Sequence, residues 1–376
     1  MFKMSIKPQW LVEGPDAVRR PLHQLIELLT GMDEAGQLAA AAKKLDVSYR
    51  YAWELVRGGS RIFGAPLVAM TRGRGAVLTP LGEKLLWANK RIAARLDPTL
   101  DSLASELEVE IERVLSNVKP SIRIHASHGF AIGMLRDFLL SMHLPVELKY
   151  RGSMEALASL AESNCELAGF HMVTGSLQAP MLTFYARWLD PKSQTLINLA
   201  TRRQGIMTAP GNPKKILSVE DLARPGVRFV NRQFGSGTRI LLDLLLKQHG
   251  VDTRGIAGYA SGETTHAAIA AYIASGMADA GFGVEAAARR MGQDFIPIIN
   301  ERYFLVCSKE TLGLPMVERI RGVLGGPHFR VAAASLPGID ITEAGTTVPI
   351  DEAFPDLAAA TAKAGETRTA QAERRL

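Results

Sequence analysis

From Arg228 to Asp243 the chain reads Arg-Phe-Val-Asn-Arg-Gln-Phe-Gly-Ser-Gly-Thr-Arg-Ile-Leu-Leu-Asp. An apolar strand ends at Val230, and a turn of Gly235, Ser236, Gly237 and Thr238 leads straight into an apolar-periodic helix. Backbone N–H groups at such a helix start, together with the Ser236 and Thr238 hydroxyls, form an anion cradle. Arg232 and Arg239 add positive charge. The run is not a nucleotide P-loop, because its spacing and the Gly-Lys-Ser/Thr ending are absent. A tight strand–helix turn needs less than two glycines flanking a serine beside two arginines. Further polar junctions occur at Ser127-His128-Gly129, at Gly152-Ser153, at His171 after an apolar strand, and at Thr264-Thr265-His266 before an Ala-rich helix over Ala267–Ala274. A lone histidine at a strand end is usually structural; several such junctions in one domain point to a ligand.

The same residues argue against catalysis. Ser127 and His128 are adjacent at a strand end and so do not face each other as nucleophile and base. No Gly-x-Ser-x-Gly elbow is present. No His-Glu-x-x-His motif, paired-cysteine metal site or dinucleotide fingerprint is seen either. The chain is therefore expected to be a binding protein, not an enzyme, with no metal and no cofactor beyond a small-anion effector.

A second chemistry lies near the N-terminus. Between Arg19 and Arg95 there are thirteen Lys and Arg against six Asp and Glu, a net +7 in a chain whose total is +6. A basic module of this kind points to nucleic acid. Ser48, Tyr49, Arg50 and Tyr51 open a helix, with Arg57 two turns on, and recognition helices set their N-terminal residues against base edges. Arg50 suits a guanine or a phosphate. Trp53, four residues after Tyr49, reads as core. Arg72 and Arg74 stand at a hairpin tip, either solvated or touching phosphates or a minor groove.

These residues need elements to hold them. Leu22, Leu25, Ile26, Leu28 and Leu29 give a first helix stopped by Gly31. A second runs from about Glu34 to Leu45. Ser48 caps a third, which Gly58-Gly59 ends. Pro66–Met70 and Ala76–Leu78 read as strands of a hairpin. This order is that of a winged helix-turn-helix over 18–80. A linker helix over 81–118 opens at Thr79-Pro80 and breaks or kinks at Asp97-Pro98. Beyond it, Leu100, Leu103, Leu107, Ile111, Val114 and Leu115 form a narrow apolar seam suited to pairing with another helix, or to lying on its own core. Asn117–Pro120 reads as a hinge. From 119 to 350 strands and helices alternate, which implies α/β units with mainly parallel sheets and ligands at strand C-termini. Residues 351–376 are poor in apolar side chains and read as a flexible tail.

The 376 residues suit two or three domains, and 47% apolar with 22% charged residues excludes collagen-like, disordered and disulfide-scaffold classes. No apolar run is long enough to span a membrane and no secretory leader is visible, so a cytoplasmic location is expected. Cys165 and Cys307 then read as buried thiols.

Two resemblances follow from these residues. Ser48-Tyr49, Ala52-Trp53, Gly64-Ala65-Pro66-Leu67-Val68, Gly75-Ala76-Val77-Leu78-Thr79 and Gly82 resemble the LysR-like winged helix of the molybdate-responsive regulators. Where that family carries Arg after the Leu-Val pair, Met70 stands here, and Arg72 or Arg74 would take its role. Residues 121–340 resemble the periplasmic-binding-protein-like domain of molybdate-binding type. The resemblance rests on Ser127-His128, Gly152-Ser153, Ala168–His171, Arg203-Gln204-Gly205, Asn231–Arg239, Thr264–His266 and Glu301–Tyr303. Gly129 replaces that family's acid. The resemblance implies two α/β lobes joined by crossover strands. It also implies ligand contacts from Ser127, His128, Ser153, His171, Gln204, Asn231, Arg232, Gly235, Ser236, Gly237, Thr238, Arg239, Thr265 and His266. Fusion to a winged helix implies a ligand-responsive regulator of a double-stranded DNA operator, assembled as a homodimer or homotetramer. Its effector would be molybdate or tungstate first, with formate, another small carboxylate or a molybdenum-cofactor-related ligand as alternatives. A non-regulatory oxyanion-binding protein is the other class.

Overall fold

The computed structural model describes residues 3–13, 18–73, 75–115, 122–144 and 146–362. Arg74, the expected hinge at 117–120 and the end of the expected tail lie outside them. The chain forms two compact units, Lys7–Leu96 and Asp97–Leu376 with Met1–Ile6.

The first unit opens with a short hairpin absent from the sequence expectation, β1 (Leu11–Glu13) against β2 (Arg19–Pro21). Three helices follow: α1 (His23–Ala35), α2 (Leu38–Lys44) and α3 (Tyr49–Phe63). An antiparallel hairpin, β3 (Val68–Thr71) with β4 (Gly75–Leu78), completes the winged helix-turn-helix order. Leu25, Leu28, Leu29, Leu38, Ala52, Val56 and Leu67 build one core. Two expected stops are corrected. Gly31 lies inside α1, which ends instead at Gly36 in the left-handed region, and Gly59 lies inside α3, which ends at Gly64. Both inner glycines serve close packing: a Cβ on Gly59 would meet the Leu25 and Leu67 side chains at 2.5 and 2.8 Å.

Helix α4 runs unbroken over Pro80–Leu115 with Pro98 inside it, so the expected break there is corrected. Ser102 Oγ turns back to the Pro98 carbonyl at 2.7 Å. Past Asp97 the helix buries Ala104, Ser105, Glu108 and Val109, a face offset from the expected seam, of which Leu103 and Val114 stay exposed. Glu108 pairs with Arg136 at 2.7 Å.

The second unit is an α/β domain. Its elements are β5 (Ile122–Ala126), α5 (Phe130–Ser141), β6 (Val146–Tyr150), α6 (Ser153–Ala161), β7 (Leu167–Val173), α7 (Gln178–Leu182), β8 (Gln194–Thr208), β9 (Phe229–Arg232), α8 (Gly237–Gln248), β10 (Gly262–Glu263), α9 (His266–Ala274), β11 (Ala280–Val284), α10 (Glu285–Arg290) and β12 (Asp294–Ser308), followed by α11 (Lys309–Leu312), α12 (Pro315–Gly325), α13 (Pro327–Ala334), β13 (Ile339–Asp340), β14 (Thr347–Val348) and α14 (Ile350–Ala353). The strand order is β10-β9-β11-β8-β12-β7-β5-β6. In one lobe β5, β6 and β7 run parallel; in the other β9, β10 and β11 do. The long antiparallel strands β8 and β12 pass through both and join the lobes. This is the two-lobed α/β class that the alternation and the resemblance implied, but the expectation of mainly parallel sheets is corrected: β8 and β12 pair antiparallel with each other and with β11 and β7, because the strands that join the lobes run against both parallel sets. Leu196, Phe170, Phe304 and Leu242 belong to one large core, Leu135, Leu148 and Leu167 to a second, and Val230 and Ile269 to a third.

Helices Ser236-capped α8 and Thr265-capped α9 begin as the sequence spacing indicates. The flexible-tail expectation is corrected as far as residue 362: Phe354, Leu357 and Ala360 are buried in the large core, because three spaced apolar residues suffice to dock a short segment. No described helix is long and apolar enough to cross a membrane. Cys165 and Cys307 are free and buried, and burial pushes their thiols up to about 12 and about 11.

The close pairing of β8 with β12 depends on Gly205, where a Cβ would sit 2.0 Å from the Ile296 carbonyl oxygen. Neither strand can yield without breaking pairs. Gly205→Ala is therefore expected to destabilise the second unit by about 3 kcal/mol, measured as a lower urea midpoint. An unchanged midpoint would show that the strands part freely here.

Candidate functional site

The register of β8 on β12 places Arg202 opposite Glu301. The two form a buried ion pair, with Glu301 wholly inaccessible. A Cβ on Gly129 would lie 3.5 Å from Arg202 Nη1, so the position where the resembling family carries an acid faces this guanidinium. Around the pair gather the ends of several strands and the starts of α5, α6, α8 and α9.

Ser127 and Ser153 hydroxyls lie 3.2 Å apart, and the His171 N–H donates to Ser153 Oγ at 3.3 Å. Tyr303 Oη donates to the Ser127 carbonyl at 2.7 Å, and its ring meets His171 with centroids 3.8 Å apart. Gly237, first residue of α8, brings that helix start against the same cluster: a Cβ there would stand 3.1 Å from Tyr185 Oη and 3.7 Å from Ser153 Oγ. Gln204 Nε2 donates to Thr238 Oγ1 at 3.2 Å. Helix starts carry partial positive charge and unpaired N–H groups, so their meeting with arginines makes an anion-favouring environment.

The histidines report the same field. Burial, then Arg232 and Arg202, lower His128 to about 4. His171 and His266 are held well below the usual histidine range by burial and the same two guanidiniums. All three are neutral at pH 7. Burial and then Arg202 lower Arg232 to about 10, and Glu301 opposes them. Among the described residues, both His171 ring nitrogens, His266 Nδ1, Gln204 Oε1 and Glu301 Oε2 are buried without a hydrogen-bond partner. Buried polar groups are nearly always satisfied, so five such atoms make this cluster the candidate site for a polar ligand.

The expected site residues thus divide. Ser127, His128, Ser153, His171, Gln204, Gly237, Thr238 and His266 come together, with Arg232 in electrostatic reach. Arg239 does not act freely: Asp243 at 3.0 Å, the carbonyls of Arg232 and Tyr259, and the Tyr259 ring at 3.9 Å engage it. Asn231 supports the turn, accepting from Arg232 N and donating to the Tyr259 carbonyl. Ser236 and Thr265 cap α8 and α9, accepting from Arg239 N and Ala268 N. Gly235 holds a φ of +80° that leads into α8. Arg202, Glu301, Tyr185 and Tyr303 were not among the expected contacts. The available signal was a charge inside each of two long apolar strands. Asp279 pairs with Arg228 at 2.8 Å.

In the N-terminal unit, Ala52, Val56 and Gly59 face the core, so α3 turns Tyr49, Arg50 and Arg57 outward. Ser48 Oγ caps the helix, accepting from Tyr51 N at 3.1 Å. Arg50 is 92% exposed and reaches Glu54 at 3.4 Å only loosely. Tyr51 Oη donates to Gln24 at 2.8 Å, and Trp53 packs on the core with Tyr49 edge-on to it. Arg72 is exposed at the hairpin tip.

A family model described as a PBP superfamily domain matches residues 140–325. YvgK of Bacillus subtilis (strain 168), described as uncharacterized, is 33% identical over 254 residues, which are 65% of this chain and 79% of YvgK. The molybdenum-pterin-binding protein MopB of Rhodobacter capsulatus is 34% identical over 110 residues, which are 28% of this chain and 40% of MopB. Among solved structures the chain is similar to CbnR, a LysR family transcriptional regulator, with a TM-score of 0.37 and 19% identity, covering 79% of this chain and 97% of that one.

Proposed function

We propose a function from one premise: this chain belongs to the family of Bacillus subtilis YvgK and carries a PBP superfamily domain. It is a ligand-responsive, DNA-binding transcriptional regulator. The observation that carries this reading is the pairing, in one chain, of an outward basic helix α3 with a cleft of buried, unpartnered polar atoms. DNA is bound by Ser48, Tyr49, Arg50, Tyr51 and Arg57, with Arg72 and Arg74 on the wing. A homodimer or homotetramer in the cytoplasm would set two such helices on half-sites of an operator. A small anion in the cleft is the effector. The resemblance to molybdate-responsive regulators, and the name of MopB, put molybdate or tungstate first; formate, another small carboxylate or a molybdenum-cofactor-related ligand are the alternatives. The effector acts by binding one state of the lobes better than the other, since equal affinity would shift nothing.

Arg50→Ala is expected to cost about 1–3 kcal/mol in operator binding and to relax preference at one base pair. Fluorescence anisotropy on a set of single-base operator variants reads both. Equal affinity and equal discrimination would remove Arg50 from the reading surface.

A further inference from the structure

The cleft holds acceptors as well as positive charge. Glu301 is fully buried; Arg202 Nε donates to its Oε1, while Oε2 has no partner among the described residues. A carboxylate accepts and cannot donate. Its surroundings belong to the site: its charge acts on Tyr185, Tyr303 and Arg232. Tyr185 in turn stands against the start of α8, and Tyr303 against Ser127 and His171. A neutral His171 adds a second acceptor, because one ring nitrogen carries hydrogen and the other a lone pair. Both of those nitrogens are buried and unpartnered.

Charge sets the second condition. Arg202 pairs with Glu301, whereas Arg232 donates to the Glu263 and Thr264 carbonyl oxygens, at 3.2 and 2.9 Å. The site thus holds two guanidiniums, with donors on the helix starts and acceptors at Glu301 and His171. A bare tetraoxo dianion satisfies the donors and leaves the acceptors facing oxygen lone pairs. Burying that repulsion is costly, as is leaving the acceptors unmade.

We infer that the effector is a small anion that brings its own hydrogen-bond donor, a protonated oxyanion or a hydroxy-carboxylate, and that Glu301 with His171 receives it. The inference rests on the proposed anion-binding role of the cleft and replaces the ranking of effectors given there. It places formate, bare molybdate and bare tungstate behind ligands of the same size that carry an O–H or N–H.

Isothermal titration of the full chain at neutral pH tests this with matched probes. Phosphate is set against sulfate and molybdate, and glycolate against acetate. In each set of which any member binds, the donor-bearing anion is expected to bind tenfold or more tighter than its partners. Glu301→Gln, which puts an amide donor where the carboxylate accepts, should erase that ratio. Sulfate, molybdate or acetate binding as tightly as, or tighter than, its donor-bearing partner overturns the inference and leaves the anion-binding reading standing. Binding of none of the five overturns both. If Glu301→Gln does not fold, the wild-type ratios alone decide.

Discussion

Arg202→Ala is expected to lower the stability of the second unit by about 3–5 kcal/mol, because it strands a charge in the interior. Glu301 is inaccessible, and its partner sits directly across the β8–β12 register. Neither strand can move Glu301 to water without breaking ladder pairs on both sides. Replacing both members, Arg202→Met with Glu301→Leu, should recover most of the loss, since a buried pair exchanged for apolar residues of similar volume is often neutral. The unfolding midpoints of the single and double variants in urea decide this. Additive losses would mean that the pair does not act as a unit. The double variant should also lose anion binding, because its site has neither the guanidinium nor the carboxylate.

Acidification supplies the second large effect. His128, His171 and His266 are each held neutral by burial and by Arg202 and Arg232, and His266 is further lowered by the other two histidines. An unfolded histidine titrates near 6.5, whereas folded His128 titrates at about 4. Between those values the unfolded chain holds more protons than the folded one. Stability is therefore full above about 6.5 and falls as pH drops, by about 1.4 kcal/mol per unit for each such histidine. Three acting together make the unit acid-labile well before its carboxylates protonate. Thermal unfolding at a series of pH values from neutral to about 4.5 should show a steep fall, and His128→Asn should flatten it. A melting temperature that holds constant across that range would contradict the burial of these rings.

Much of this architecture was legible in the residues. The start of α8 was legible because glycines and small hydroxyls at a strand–helix junction suit a turn and a cap. The serine and threonine caps were legible because capping depends on one side chain and its neighbours. The helix ends in the N-terminal unit were not. Gly31 and Gly59 look like stops, but their missing side chains admit Ala41, Leu25 and Leu67, so tertiary packing overrides the local preference. Pro98 failed as a breaker for a related reason: a long helix supported on one face tolerates one missing hydrogen bond. The Arg202–Glu301 pair was hidden because it depends on the register of two strands 99 residues apart. Arg239 was assigned to the ligand on charge alone, and a carboxylate one helical turn along, Asp243, takes it.

The central claim is that anion binding in the cleft alters DNA binding by the basic unit. It is tested most directly by selecting duplexes from a random-sequence pool with the full chain near physiological salt, then titrating the selected duplex with and without a cleft-binding anion. A discrete, repeated sequence is expected, with an affinity that changes at least fivefold when the anion is added, about 1 kcal/mol of coupling. Recovery of no preferred sequence, or one whose affinity is the same with the cleft filled, would contradict it.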